Sequence, residues 1–143
     1  MQYVCDAPGR KTWFRIETEG EAMQESEAMR HSLDYCFRHE REAAVKCYAP
    51  SRNLNYIERN IGLGAHVQRT MPIFLTLRDS EGTPLATAVL PQADDCEGRE
   101  PRIVGPEYSD AFEAQRSAIA VLERHMRRTL RPESYKPLEL SMG

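Results

Sequence analysis

Nothing in this chain approaches the roughly 18 consecutive apolar residues of a membrane span, so no transmembrane helix is expected. The opening stretch, Met1 to Lys11, holds charges, a proline and a glycine. Without the apolar run of a secretory signal it reads as a mature cytoplasmic start. Phosphate-binding glycine patterns of the G-x-G-x-x-G and G-x-x-x-x-G-K-[ST] kinds are absent. So are the G-x-S-x-G elbow, the H-E-x-x-H zinc pair and the kinase motif set. The four cysteines, at 5, 36, 47 and 96, form no C-x-x-C pair. On a shared helix Cys36 and Cys47 would stand about 16 Å apart, beyond disulfide reach. Reduced thiols are therefore expected, with no metal site and no cofactor.

What is present suits one globular domain. At 143 residues the chain can bury an ordinary core without staples. Apolar residues make up 41% and charged residues 29%, which argues against general disorder. A net charge of −3 gives no whole-molecule attraction to nucleic acid or to anionic membrane.

Along the chain, two β-prone stretches around Ala7-Pro8-Gly9 predict a hairpin over residues 2–17, with Phe14 and Ile16 inward. Thr18-x-x-Glu21 reads as a capping box. It opens a long helix to about Tyr48, whose apolar arc includes Ala22, Met23, Met29, Leu33, Cys36, Phe37, Ala44 and Cys47. A continuous helix of that length would span about 45 Å, more than such a domain usually needs, so a break is compatible with the pattern. Residues 51–70 read as a short helix through Leu54, Ile57 and Ile61, stopped at a Gly62-Leu63-Gly64 turn.

Two alternating runs around Asp79-Ser80-Glu81-Gly82 predict a second hairpin over residues 72–90. Ile73, Leu75 and Leu77 form one face, with Leu85 and Val89 as expected partners. Pro84 should begin its strand or lie on an edge. A brief strand at Arg102-Ile103-Val104 follows. Asp110-x-x-Glu113 reads as a second capping box, opening a helix to about Leu130. This order lacks regular β-α alternation, so the expected fold class is α+β. It is an antiparallel β-sheet with the long helix and the C-terminal helix packed on one face. Residues 1–131 would form the domain and 132–143 a tail.

Three features are candidates for chemistry. Glu40 lies near the centre of the apolar arc, where desolvation prepares a carboxylate for acid–base work. The bland alternative is an ion pair with an arginine. His66 follows a glycine turn, a place where a catalytic base can sit, although Gly-x-Gly alone is no fingerprint. The last helix carries Arg116, Arg124, Arg127, Arg128 and Arg131 beside its apolar stripe. Residues 116–136 hold six bases and two acids, whereas residues 17–42 hold three bases and eight acids. The arginines could grip phosphates, or they could complement the acidic helix in the same chain or in a second copy. His31, Tyr35 and His39, four apart, read as one solvated side of the long helix, too widely spaced to share a metal.

The leading expectation is a self-associating (homodimeric) interaction domain, or a small-ligand-binding one, without catalysis. An enzyme using acid–base chemistry at Glu40 or His66 is the alternative. Nucleic-acid binding through Arg124, Arg127, Arg128 and Arg131 ranks third, against the overall acidity.

Overall fold

The computed structural model describes residues 1–48, 56–92 and 100–127. Both expected hairpins form: β1 (Gln2–Ala7) with β2 (Lys11–Ile16), and β3 (Ile73–Arg78) with β4 (Pro84–Leu90). The brief strand β5 (Arg102–Val104) adds to β4. All neighbours in the sheet are antiparallel and follow the chain, β1-β2-β3-β4-β5. Three helices, α1 (Glu19–Met29), α2 (Leu33–Tyr48) and α3 (Tyr56–Thr70), lie between β2 and β3, and α4 (Arg116–Met126) follows β5. The fold is α+β, built on a five-stranded antiparallel sheet.

The helices cover both faces of that sheet, where a single helical layer was expected. On one face Leu75, Leu77, Ala86, Ala88, Leu90 and Trp13 meet Ala118, Ile119 and Leu122 of α4. Trp13, with no exposed surface, donates its indole N–H to the Ala118 carbonyl at 2.9 Å. On the other face Ile16, Phe74, Val89 and Val104 meet Ala22 of α1 and Leu33, Phe37 and Ala44 of α2. Phe37 and Phe74 pack edge to face there, with centroids 5.1 Å apart. A sheet buried on both sides makes its central strands nearly continuous in apolar character, and residues 73–77 and 86–90 are all buried.

Leu85 packs against the cluster of Ile73, Leu75 and Leu77 as expected, but the double burial corrects the pairing of Val89. Ile73, Leu75 and Leu77 stand opposite Leu90, Ala88 and Ala86, while Val89 faces the other helices beside Phe74. A slip of one residue exchanges the two faces of a strand. With apolar side chains on both, the pattern could not reveal it. The loop itself is as expected: Asp79 Oδ1 accepts the N–H groups of Glu81 and Thr83 at 2.9 Å each. Gly82 takes φ +82°, in the region that favours glycine. Pro84 opens β4 but lies at no edge of the sheet, whose outer strands among the described residues are β1 and β5.

The expected long helix is two helices. Its first capping box is present, with Glu21 N–H on Thr18 Oγ1 and Thr18 N–H on Glu21 Oε1. The Met1 amino group pairs with the other carboxylate oxygen of Glu21. After Met29 the backbone of Arg30 turns left-handed (φ 55°, ψ 48°), and Arg30 and His31 both donate N–H to the Ser26 carbonyl. That closure ends α1 and resets the phase of α2. Met23 and Cys47, both placed on one apolar arc, are exposed as a result.

The second capping box does not form. Asp110 Oδ1 instead accepts Phe112 N–H in a local turn, Glu113 pairs with Arg116, and α4 begins only at Arg116. Gly62 interrupts α3 with φ 80° and ψ 169° but does not end it, since the helix resumes to Thr70. Leu54 and the tail 132–143 lie outside the described residues. No helix among the described residues is long and apolar enough to cross a membrane.

Candidate functional site

The sharp return from α1 to α2 brings polar side chains into the core. Glu25, 1% exposed on α1, reaches the sheet, where Arg78 Nη2 contacts Oε1 at 2.8 Å. Thr87 Oγ1 donates to Glu25 Oε2 at 2.6 Å. Thr87 Oγ1 also lies 3.0 Å from His31 Nε2, and the other ring nitrogen, Nδ1, lies 3.2 Å from Ser26 Oγ. Leu33 N–H points at Nδ1 from 3.3 Å, which makes that nitrogen an acceptor. The neutral imidazole therefore carries its proton on Nε2 and donates it to Thr87. Ser26 Oγ accepts Asp34 N–H at 2.9 Å and turns its own proton to Nδ1.

The network thus satisfies two of the free N–H groups that open α2. Burial pushes the His31 imidazole down to about 4, aided by the charge of Arg102 and opposed by Asp34. Tyr108 seals the outside: its hydroxyl oxygen accepts Ser32 N–H at 2.8 Å, and its ring lies 6.1 Å from that of His31. Serine, histidine, threonine and glutamate in a chain suggest nucleophilic catalysis at first sight. Thr87 and Glu25 are each 1% exposed, however, and none of the four lines the cleft or the groove described below. The arrangement holds α1 and α2 to the sheet.

The concave site lies elsewhere, where the end of β2 passes between α2 and α3. A cleft of about 290 Å³ opens there. Its floor is apolar: Ile16, Phe37 and Met71 are buried, with Val67 beside them. Its rim is polar, formed by Arg15, Glu17, Arg41 and Gln68. Helical spacing explains the α3 wall, because Leu63, Gly64 and Val67 recur one turn apart and Met71 follows just past the helix end.

Side chains from β2 and from just past the end of β4 anchor the C-terminal end of that wall. Gln92 Nε2 donates to the Met71 carbonyl at 2.8 Å and also to that of Gln68. Arg15 Nη2 reaches the Gln68 carbonyl at 3.4 Å. Partial burial lowers the pKa of the Arg15 guanidinium below its ordinary value, and the charge of Glu17 opposes this. A second, more open groove of about 390 Å³ continues along α2, sharing Arg41 and Val45 and adding Glu19, Arg38, Glu42 and Lys46.

No family model matches this chain, and no curated protein or solved structure matches it either.

The residues singled out in the sequence are not brought together at the cleft. Glu40 is buried on α2, as its place in the apolar arc implied, but it does not line the cleft. His66 is 1% exposed on α3 and faces the Tyr48 ring at 5.1 Å. Neither of its ring nitrogens has a hydrogen-bond partner among the described residues, and it too is absent from the lining.

Arg124 is exposed on α4 and Arg127 at the left-handed residue that caps it, while Arg128 and Arg131 lie outside the described residues. Because α4 and the acidic α1 pack on opposite faces of the sheet, the two helices do not complement each other within one chain. Tyr35 and His39 are exposed as expected, whereas His31 is buried. Among the described residues no cluster of three or more His, Cys, Asp or Glu side chains could hold a metal ion. Cys5 and Cys47 are free thiols.

Proposed function

We propose that this protein is a non-catalytic binding domain that takes a small ligand in the cleft between β2, α2 and α3. The observation that carries the reading is the cleft's construction, an apolar floor of Ile16, Phe37, Val67 and Met71 under a short polar rim. Small-molecule sites have this form, mostly apolar with a few polar groups that orient the ligand. Its volume of about 290 Å³ falls at the small end of such sites, so the ligand is of metabolite size. The acid–base alternative has less support, since Glu40 and His66 do not line this concavity.

Self-association accompanies the reading as its second element. The six-residue edge strand β1 leaves Tyr3 57% exposed next to Phe14, although the bulge between Tyr3 and Cys5 blunts that edge.

One native mass-spectrometry experiment addresses both elements. Gly64 lines the cleft, and a Cβ placed there meets nothing within 4 Å, so Gly64→Phe should fill the cleft without disturbing α3. Mixed with a metabolite panel, the wild-type chain is expected to carry adducts that the Gly64→Phe chain lacks, on a dimer mass. Adducts of equal strength on both proteins, or none on either, would refute the cleft as a binding site. A monomer mass at tens of micromolar would remove self-association.

A further inference from the structure

Resting on the cleft as the binding site, we propose that its ligand is a small amphiphile with an oxyanion head, a carboxylate or a phosphate monoester. The head would be held by Arg41 and Arg15 and the aliphatic part laid over Phe37 and Val67. The charges around the cleft point this way. Two nearby carboxylates, Glu19 at the start of α1 and Asp34 in the first turn of α2, are taken up by Arg38, whose guanidinium contacts them at 3.3 Å and 3.7 Å. One turn further on, Arg41 has no ion pair among the described residues, and it lines both the cleft and the adjoining groove.

Arg15 brings a second, half-buried guanidinium to the same cleft, where its hydrogen bond to the Gln68 carbonyl leaves most of its five donors for a ligand. Among the described residues Glu17 is the one carboxylate that lines the cleft beside Arg15 and Arg41, so the lining is positive by one charge. Guanidinium groups match planar carboxylates and phosphates through paired N–H donors. The floor between α2 and α3 offers such a head no polar group and suits a short hydrocarbon chain.

The test compares four six-carbon probes that differ only at the head: hexanoate, hexyl phosphate, hexanol and hexylamine. Binding to the full chain is read from methyl NMR shifts of Leu63, Val45, Val67 and Met71. Arg41 is exposed, so Arg41→Gln should leave the fold intact. We expect hexanoate or hexyl phosphate to bind at least about tenfold more tightly than hexanol, the scale of one charge-assisted hydrogen-bond pair. Arg41→Gln should remove about that factor for the anions and leave hexanol unchanged. The tighter anion names the head group.

Hexanol or hexylamine binding as tightly as both anions, or anion affinity untouched by Arg41→Gln, would overturn the oxyanion assignment and leave the cleft as a binding site. Four probes that move none of the cleft methyls would overturn the assignment and the binding reading together.

Discussion

Replacing Thr87 by Val should be one of the most damaging single-atom-scale changes in this fold. The two side chains have nearly the same shape, so packing of β4 against α1 is retained and the loss is polar. Thr87 Oγ1 gives its proton to Glu25 at 2.6 Å and receives that of His31 Nε2 at 3.0 Å. A hydrogen bond to a charged group contributes about 1.5–3 kcal/mol, and a buried donor left unpaired costs about 1–3 kcal/mol. Partial relaxation of His31 would recover some of this, so a destabilisation of about 3 kcal/mol is expected.

The structure supplies its own control. Thr76 is the cross-strand partner of Thr87 and has no exposed surface, yet the hydrogen bond shown for its hydroxyl is from Arg78 Nε at 3.3 Å. Thr76→Val should therefore cost only about 1 kcal/mol. Urea unfolding followed by fluorescence of Trp13, the sole tryptophan and wholly buried, measures both variants. If the two differ by less than about 0.5 kcal/mol with unchanged denaturant slopes, the network does not hold the helices as described.

His31 is lowered from 6.5 to about 4 in the folded protein, so the unfolded chain binds the extra proton between those values. Stability is full above the unfolded value and falls as pH drops from about 6.5 toward 4, by at most about 1.4 kcal/mol per pH unit from this group. Urea midpoints from pH 7 to 5 should show that slope, and His31→Gln should flatten it; an unaltered slope would assign the proton elsewhere. At Gly62 the backbone angles of φ 80° and ψ 169° belong to a region nearly reserved for glycine, so Gly62→Ala should cost about 1–3 kcal/mol. Gly64, in open space on the same helix, should tolerate alanine with a gain of up to about 1 kcal/mol, and equal effects at both would contradict the kink.

The strands and hairpins were legible because each is set by neighbours in sequence: a turn residue, a run of β-branched and aromatic side chains, a proline at a strand start. What was hidden depended on a single residue changing the phase. Arg30 in the left-handed region ends α1, and nothing in its type announces it, since arginine is an ordinary helix former. Read through that point as one helix, His31 falls in line with Tyr35 and His39 on a polar side. Read with the break, it turns into the core beside Ser26, Thr87 and Glu25.

Glu40 survived the error because it lies within α2, where the spacing from Leu33, Phe37 and Ala44 stays intact. Trp13 was missed for a different reason: with helices on both faces of the sheet, alternation along β2 marks neither side as solvent, and it is Trp13 that joins the core while Phe14, expected inward, is only half-buried.

The cleft was out of reach by either route. Its residues come from the end of β2 and from α2 and α3, which are far apart in sequence, and each has an ordinary local explanation. Arg41 and Arg38 differ in no sequence property that separates a structural arginine from a binding one. They are told apart only by the positions of Glu19 and Asp34, which claim Arg38 and leave Arg41 facing the cleft. A binding site of this kind is defined by which charges remain after the fold has paired the others. Its signature therefore resides in tertiary geometry, and exchanging the two positions' partners tests that directly. Removing Asp34 and Glu19 by Asn and Gln should free Arg38 and strengthen anion binding along the α2 groove, while Arg41→Gln alone weakens it in the cleft.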